Sequence, residues 1–238
     1  MEKVVYIVWR DPRDGVEQFA QRLRGELPEK LLALGARGVQ VNVADEAVAP
    51  ATGLRQSNSQ PLMDGLVSVW MNSAIKPFRQ PFDDAIGQAV ARQAAYLVTE
   101  SQPIRNTRFP ARLGERTEGF AQLAFLKRPP RLTPEAWLDI WHNHHTQVAI
   151  DTQDNFLYVQ NVVVRPLTHG APAVDAIVEE CFPAAAMTSP HAFFDAVGDD
   201  VKLQDNLQAM MDSCHRFIDF DKIDVLPTSQ YVIKTAAG

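Results

Sequence analysis

The feature that most constrains this chain is an order of extended and helical segments that occurs twice. An extended run, VVYIVWR (residues 4–10), precedes a helical stretch from about Gly15 to Leu34, with Phe19, Leu23 and Leu27 four residues apart and Pro28 expected to bend or split it. GVQVNVAD (38–45) and DGLVSVWM (64–71) follow as strands. PFDDAIGQAVARQ (81–93) reads as a helix and AAYLVTE (94–100) as a strand. After an aperiodic stretch rich in Pro, Gly and Arg (106–119) the order returns: FAQLAFLKR (120–128), the helical PEAWLDIWHNHHTQVA (134–149), FLYVQNVVVR (156–165), AVDAIVEECF (173–182), a helical segment from SPHAFFDAV (189–197) to about Ser213, and QYVIKTA (230–236).

Local likenesses fall in the same order in both halves. VQVNV answers YVQNV, and MDGLVSVW answers VDAIVEEC with Asp64 opposite Asp175. An internal repeat is therefore expected: an α+β fold of two tandem ferredoxin-like βαββαβ halves. Their boundaries are expected at 1–105 and 119–238, with 106–118 as linker. Runs such as VQNVVV (159–164) break simple alternation, so both sheet faces should be covered. The two antiparallel sheets are expected to pack against each other as an α+β barrel within one chain.

Composition narrows the function. With 46% hydrophobic residues the chain can build a core, and 23 basic against 29 acidic residues give a net charge of −6, which disfavours nucleic acid and anionic membrane surfaces. No apolar run approaches the ~18 residues of a spanning helix, and the start resembles no signal peptide. Cys181 and Cys214 form neither a disulfide framework nor a ligand spacing. A reduced, cytoplasmic protein is the expectation. No P-loop, dinucleotide fingerprint or Ser-His-Asp spacing occurs, so ATP and NAD are not indicated.

Three of six histidines crowd one helix, whose start is marked by Thr133 as N-cap and Pro134 at the first position. At roughly 100° per residue the apolar arc runs from Ile140 through His144, Trp137, Val148, Trp141 and His145 to Leu138, with His142 at its edge. Three readings stand: satisfied core histidines stacked on tryptophan, a metal site using His142 and His145 but lacking an evident third ligand, or acid/base groups in a pocket. Burial would lower an imidazole pKa and a helix C-terminus would raise it, so the sign is open. Tyr158 and Asn161, three apart on a strand, face opposite ways, so only one can share a face with His145. Asp175 is expected at a strand start.

The segment FLKRPPRLTPEAWLDIWHNHHTQVA…FLYVQNVVV resembles the EthD family of dimeric α+β barrels. The matching positions are Lys127 to Pro129, Trp141, His145 and Tyr158 to Asn161, with VDAIVEE and HRFIDFDKIDVLPTSQYVI (215–233) also similar. The resemblance covers about 119–236 and is faint over 1–105. It implies His145 as the family histidine, with His144 at a usually apolar position. Matching the halves puts Leu23 opposite Trp141 and Leu27 opposite His145, which leaves the first half without the polar group, as a structural copy.

Together these readings favour a cofactor-independent enzyme doing acid/base chemistry (cyclisation, isomerisation, dehydration or decarboxylation) on a small apolar or aromatic metabolite. His145 is the candidate catalyst, with His144 and His142 assisting. Trp137, Trp141, Tyr158, Asn161 and Asp175 are candidate substrate contacts. A non-catalytic binding protein is the alternative, and a haem-binding variant a third. A homodimer formed through free sheet edges or helices is compatible with the sequence.

Overall fold

A computed structural model describes residues 1–236. The eight strands are β1 (Glu2–Trp9), β2 (Gly38–Val43), β3 (Gly65–Met71), β4 (Arg92–Ile104), β5 (Phe120–Leu126), β6 (Leu157–Pro166), β7 (Ala176–Phe182) and β8 (Asp224–Lys234). They close into one antiparallel barrel in the order β1-β3-β2-β8-β5-β7-β6-β4. Within it, β4-β1-β3-β2 and β8-β5-β7-β6 follow one pattern. The expected intrachain α+β barrel is thus present. Closure gives each of these strands two neighbouring strands. The last two residues of the expected second unit, 237–238, lie outside the described residues.

Closure depends on two strands longer than their apolar cores suggest. β4 pairs with β1 through residues 92–98 and with β6 through 96–104. β8 pairs with β5 through 224–228 and with β2 through 229–234. Each strand changes partner along its length and forms one seam.

Helices α1 (Val16–Arg24), α2 (Glu26–Ala33) and α3 (Lys76–Ala89) cover the outer face of β4-β1-β3-β2. The helical stretch expected over 15–34 is split, at Gly25 rather than at Pro28, and Gly25's φ of −107° and ψ of −89° are not helical. Pro28 is accommodated in the first turn of α2, where its missing N–H costs nothing. Leu23 and Leu27 are fully buried there with Phe19, Val39 and Val41.

On the other side, α4 (Pro134–Asp139), a π-helical turn at Ile140–His145, α5 (Thr146–Thr152), α6 (Pro190–Phe193) and α7 (Asp200–Phe217) cover β5, β7 and β6. The barrel interior is apolar at one level, with Ile7, Tyr96, Phe125 and Ile177. It is polar at another, where Glu179 accepts from Gln40 Nε2 (2.9 Å), Asn42 Nδ2 (2.7 Å) and Gln230 Nε2 (2.6 Å).

One bonding pattern recurs between the halves. Asp64 Oδ2 accepts from the Arg10 N–H and its own N–H donates to Val8 O; Asp175 does the same with Arg128 and Leu126, the carboxylate bonds both being 2.8 Å. Each arginine also donates to the carbonyl four residues on, Asp14 or Leu132. Asp175 thus pins the end of β5 and is not among the residues lining the cavity described below.

Candidate functional site

The histidine helix begins as expected. Thr133 Oγ1 accepts from the Ala136 N–H (3.2 Å), and Pro134 occupies the first turn. It then departs from α geometry: the Thr146 N–H reaches Trp141 O, five residues back, and Thr146 Oγ1 donates to the same carbonyl at 2.9 Å. An α-helix advances about 40° for every four residues, so a four-residue spacing drifts off any one face. The π turn takes back that drift, and Trp137, Trp141, His145 and Ala149 all lie buried.

The same unwinding corrects the placement of His144. A uniform helix put it in the apolar arc; it is half exposed, with Nε2 3.8 Å from Asp139 Oδ2. His142 is half-buried against Trp141, its Nε2 without a protein partner, and burial pulls its pKa down. Neither residue lines the cavity. His145 does. Its Nδ1 lies 2.9 Å from Ser213 Oγ on α7 and its ring packs on Phe217. Burial lowers its pKa from 6.5 to about 4, which settles the open sign: the ring is neutral near pH 7.

Between this helix, α6, α7 and the outer face of β5, β7 and β6 lies a cavity of about 690 Å³, within the usual size of small-molecule sites. Trp141, Phe193, Phe194, Phe217, Met187 and Met210 dominate its wall, and no Lys or Arg lines it. Trp141 Nε1 donates to Tyr158 Oη (3.0 Å), as does Gln160 Nε2 (3.2 Å), which fixes the phenol in the wall. Burial lifts the Tyr158 pKa, so the phenol keeps its proton. Trp137 sits behind the wall, its Nε1 donating to Phe217 O, and Asn161 points into the barrel, where its Nδ2 donates to Ile177 O. The cavity therefore brings together His145, Trp141 and Tyr158, and does not include Trp137, Asn161, Asp175, His142 or His144.

One residue that the sequence reading passed over is Glu180 on β7. It faces the cavity opposite Tyr158 of β6 and Gln122 of β5 in the ladder. Its carboxylate accepts from Asn155 Nδ2 (2.9 Å) and has no cationic partner. Burial raises its pKa from 4.5 to about 7. A signal was available: two adjacent glutamates in an otherwise apolar strand covered on both faces must put one carboxylate on each. Glu179 meets three amides; Glu180 meets a void. Nearby, Gln153 lines the cavity and its Oε1 has no partner. Cys214 also lines it, its Sγ 3.7 Å from Met210 Sδ, with burial pushing the thiol up to about 12. Among the described residues no three His, Cys, Asp or Glu side chains gather as a metal-binding group.

Comparison with known structures places the fold beside an anthrone oxidase-like protein, at 9% identity and TM-score 0.51, covering 100% of this chain and 95% of that one. Candidate monooxygenases from Lactobacillus acidophilus NCFM (7% identity, TM-score 0.47, 98% and 96% covered) and Fusobacterium nucleatum subsp. nucleatum (9%, 0.46, 98% and 92%) show weaker likeness. No curated protein sequence matches the chain. Residues 129–221 match the EthD domain model, and the helix bearing His145 and the strand bearing Glu180 both lie within that segment.

Proposed function

We propose that the protein is an enzyme that moves a proton on a small, uncharged, apolar or aromatic metabolite held in the 690 Å³ cavity, without a cofactor. The observation that carries this reading is Glu180: a buried carboxyl, unpaired with any cation, with a pKa of about 7 inside an aromatic and methionine-lined void. Near neutral pH both of its protonation states are populated, which suits a group that takes a proton at one carbon and returns it at another. His145, whose pKa of about 4 leaves it neutral near pH 7, is a poor base; in the tautomer where Ser213 Oγ–H donates to Nδ1, its proton sits on Nε2 as a hydrogen-bond donor to substrate oxygen. The acid/base role expected of His145 thus passes to Glu180. The absence of Lys and Arg from the wall argues against carboxylate or phosphate substrates, because nothing there would offset their desolvation.

The same reading takes the barrel as two tandem ferredoxin-like halves, 1–105 and 119–238 joined by 106–118. The shared strand order and the recurring Asp64 and Asp175 bonds support it, with the first half as scaffold. A reduced, cytoplasmic setting fits two free cysteines.

Anthrone, named with the structural neighbour, is the first probe. Its acidic CH₂ exchanges with solvent deuterium when a base removes and returns the proton, a balanced step needing no other reagent. The protein should accelerate that exchange, and Glu180→Gln should slow it by about 10²-fold or more while leaving binding of the neutral dye Nile red intact. Full exchange in Glu180→Gln would refute the assignment. Binding without any exchange would favour a carrier.

A further inference from the structure

The cavity is not completed by the EthD-matching segment alone. Pro50, Gly53, Leu54 and Gln56 also line it, and they come from the first half, from the connection between β2 and β3 whose 3₁₀ turns span Glu46–Leu54. We infer that this strap is a fixed size filter for the second half's site and that Gly53 is its specificity-determining position. The inference rests on the cavity being a ligand site, as proposed above.

A strap that opened would be held at one end or loosely at both. This one is clamped twice by buried carboxylates. At its start Asp45 accepts from the Ala47 N–H (3.2 Å), Ser229 Oγ (2.7 Å) and Tyr231 Oη (2.9 Å). At its end Asp224 accepts from the N–H groups of Asn58 (2.7 Å) and Ser59 (2.9 Å) and from Ser59 Oγ (2.6 Å). Gln56 and Val225 add a reciprocal pair of backbone bonds at 3.1 and 2.9 Å. Between the clamps, Val48 and Ala51 are buried against Phe120, Phe182 and Phe193, and Leu54 packs on them. The wall is therefore set in place before any ligand arrives, and it discriminates by shape.

Gly53 is exposed and lines the cavity, which places it at the mouth. A Cβ there would meet no atom within 4 Å, and its φ lies outside the left-handed region. A large side chain at this position is tolerated by the backbone and stands at the opening.

The test uses the full chain and two neutral fluorescent probes, 2-naphthol and the larger Nile red, with mutual displacement showing a shared site. Gly53→Trp should weaken Nile red binding tenfold or more and leave 2-naphthol within twofold, at an unchanged unfolding midpoint; Gly53→Leu carries the same test if Trp lowers that midpoint. Unchanged affinity for both probes, or equal loss of both, would overturn the filter while leaving the ligand site standing. If the wild type binds neither probe, the ligand-site reading falls and the filter with it.

Discussion

Glu180 and His145 share a cavity but titrate in opposite senses. Folding raises the Glu180 pKa from 4.5 to about 7, so its contribution to stability is full below 4.5 and is lost as pH rises through 7. Folding lowers the His145 pKa from 6.5 to about 4, so its contribution is full above 6.5 and is lost as pH falls through 4. Between pH 4.5 and 6.5 the unfolded chain holds its proton on His145 and the folded chain holds one on Glu180. The two slopes cancel, and the pair adds almost no pH dependence. Each single variant should expose the hidden slope, worth about 3 kcal/mol in all. Glu180→Gln should lose stability as pH drops from 6.5 to 4, and His145→Phe should lose it as pH climbs from 4.5 to 7. Urea titrations at four pH values would show this, and parallel profiles in both variants would contradict it. His145 and Trp141 were legible from sequence because the histidine cluster is unusual. The pKa direction was not, since it depends on α7 folding over the ring, which local pattern cannot report.

At the level of elements, most strands and the capped helix start were readable from apolar runs and turn residues. Three things were hidden. The ends of β4 and the start of β8 are polar or carry proline, as in Glu100 to Pro103 and Pro227, and became strand only because a seam required partners. The π turn was invisible to a fixed 100° step, which is why His144 was expected inside the arc. The polar belt of the barrel was missed because its members, Gln40, Asn42, Glu179 and Gln230, come from three strands that meet only on closure. That belt bonds first-half amides to a second-half carboxylate. Glu179→Leu should therefore cost about 3–5 kcal/mol by orphaning buried amide donors, read as a drop in urea midpoint. A loss under about 1 kcal/mol would show that water replaces the carboxylate.

Taken whole, the outer face of β4-β1-β3-β2 is packed solid and that of β5, β7 and β6 carries the cavity. Leu23 and Leu27 are packed solid under α1 and α2, whereas Trp141 and His145 border the cavity. The likeness of VQVNV to YVQNV and the paired aspartates were visible in the sequence; the contribution of Pro50, Gly53, Leu54 and Gln56 to the cavity was not, because it is a contact between residues far apart in the chain.

The cavity also divides the molecule by rigidity. Side chains that border a void lack packing partners on that side, and α6 and α7 turn such side chains, Phe193, Met210 and Phe217, toward the cavity. Local opening should then begin at α6 and α7, with backbone amides there exchanging with solvent deuterium well before those of α1 and α3. A bound ligand should slow that exchange selectively. Under the function proposed above, residues 1–105 would be the stiff side against which α6 and α7 open for a hydrophobic guest while the barrel itself stays shut.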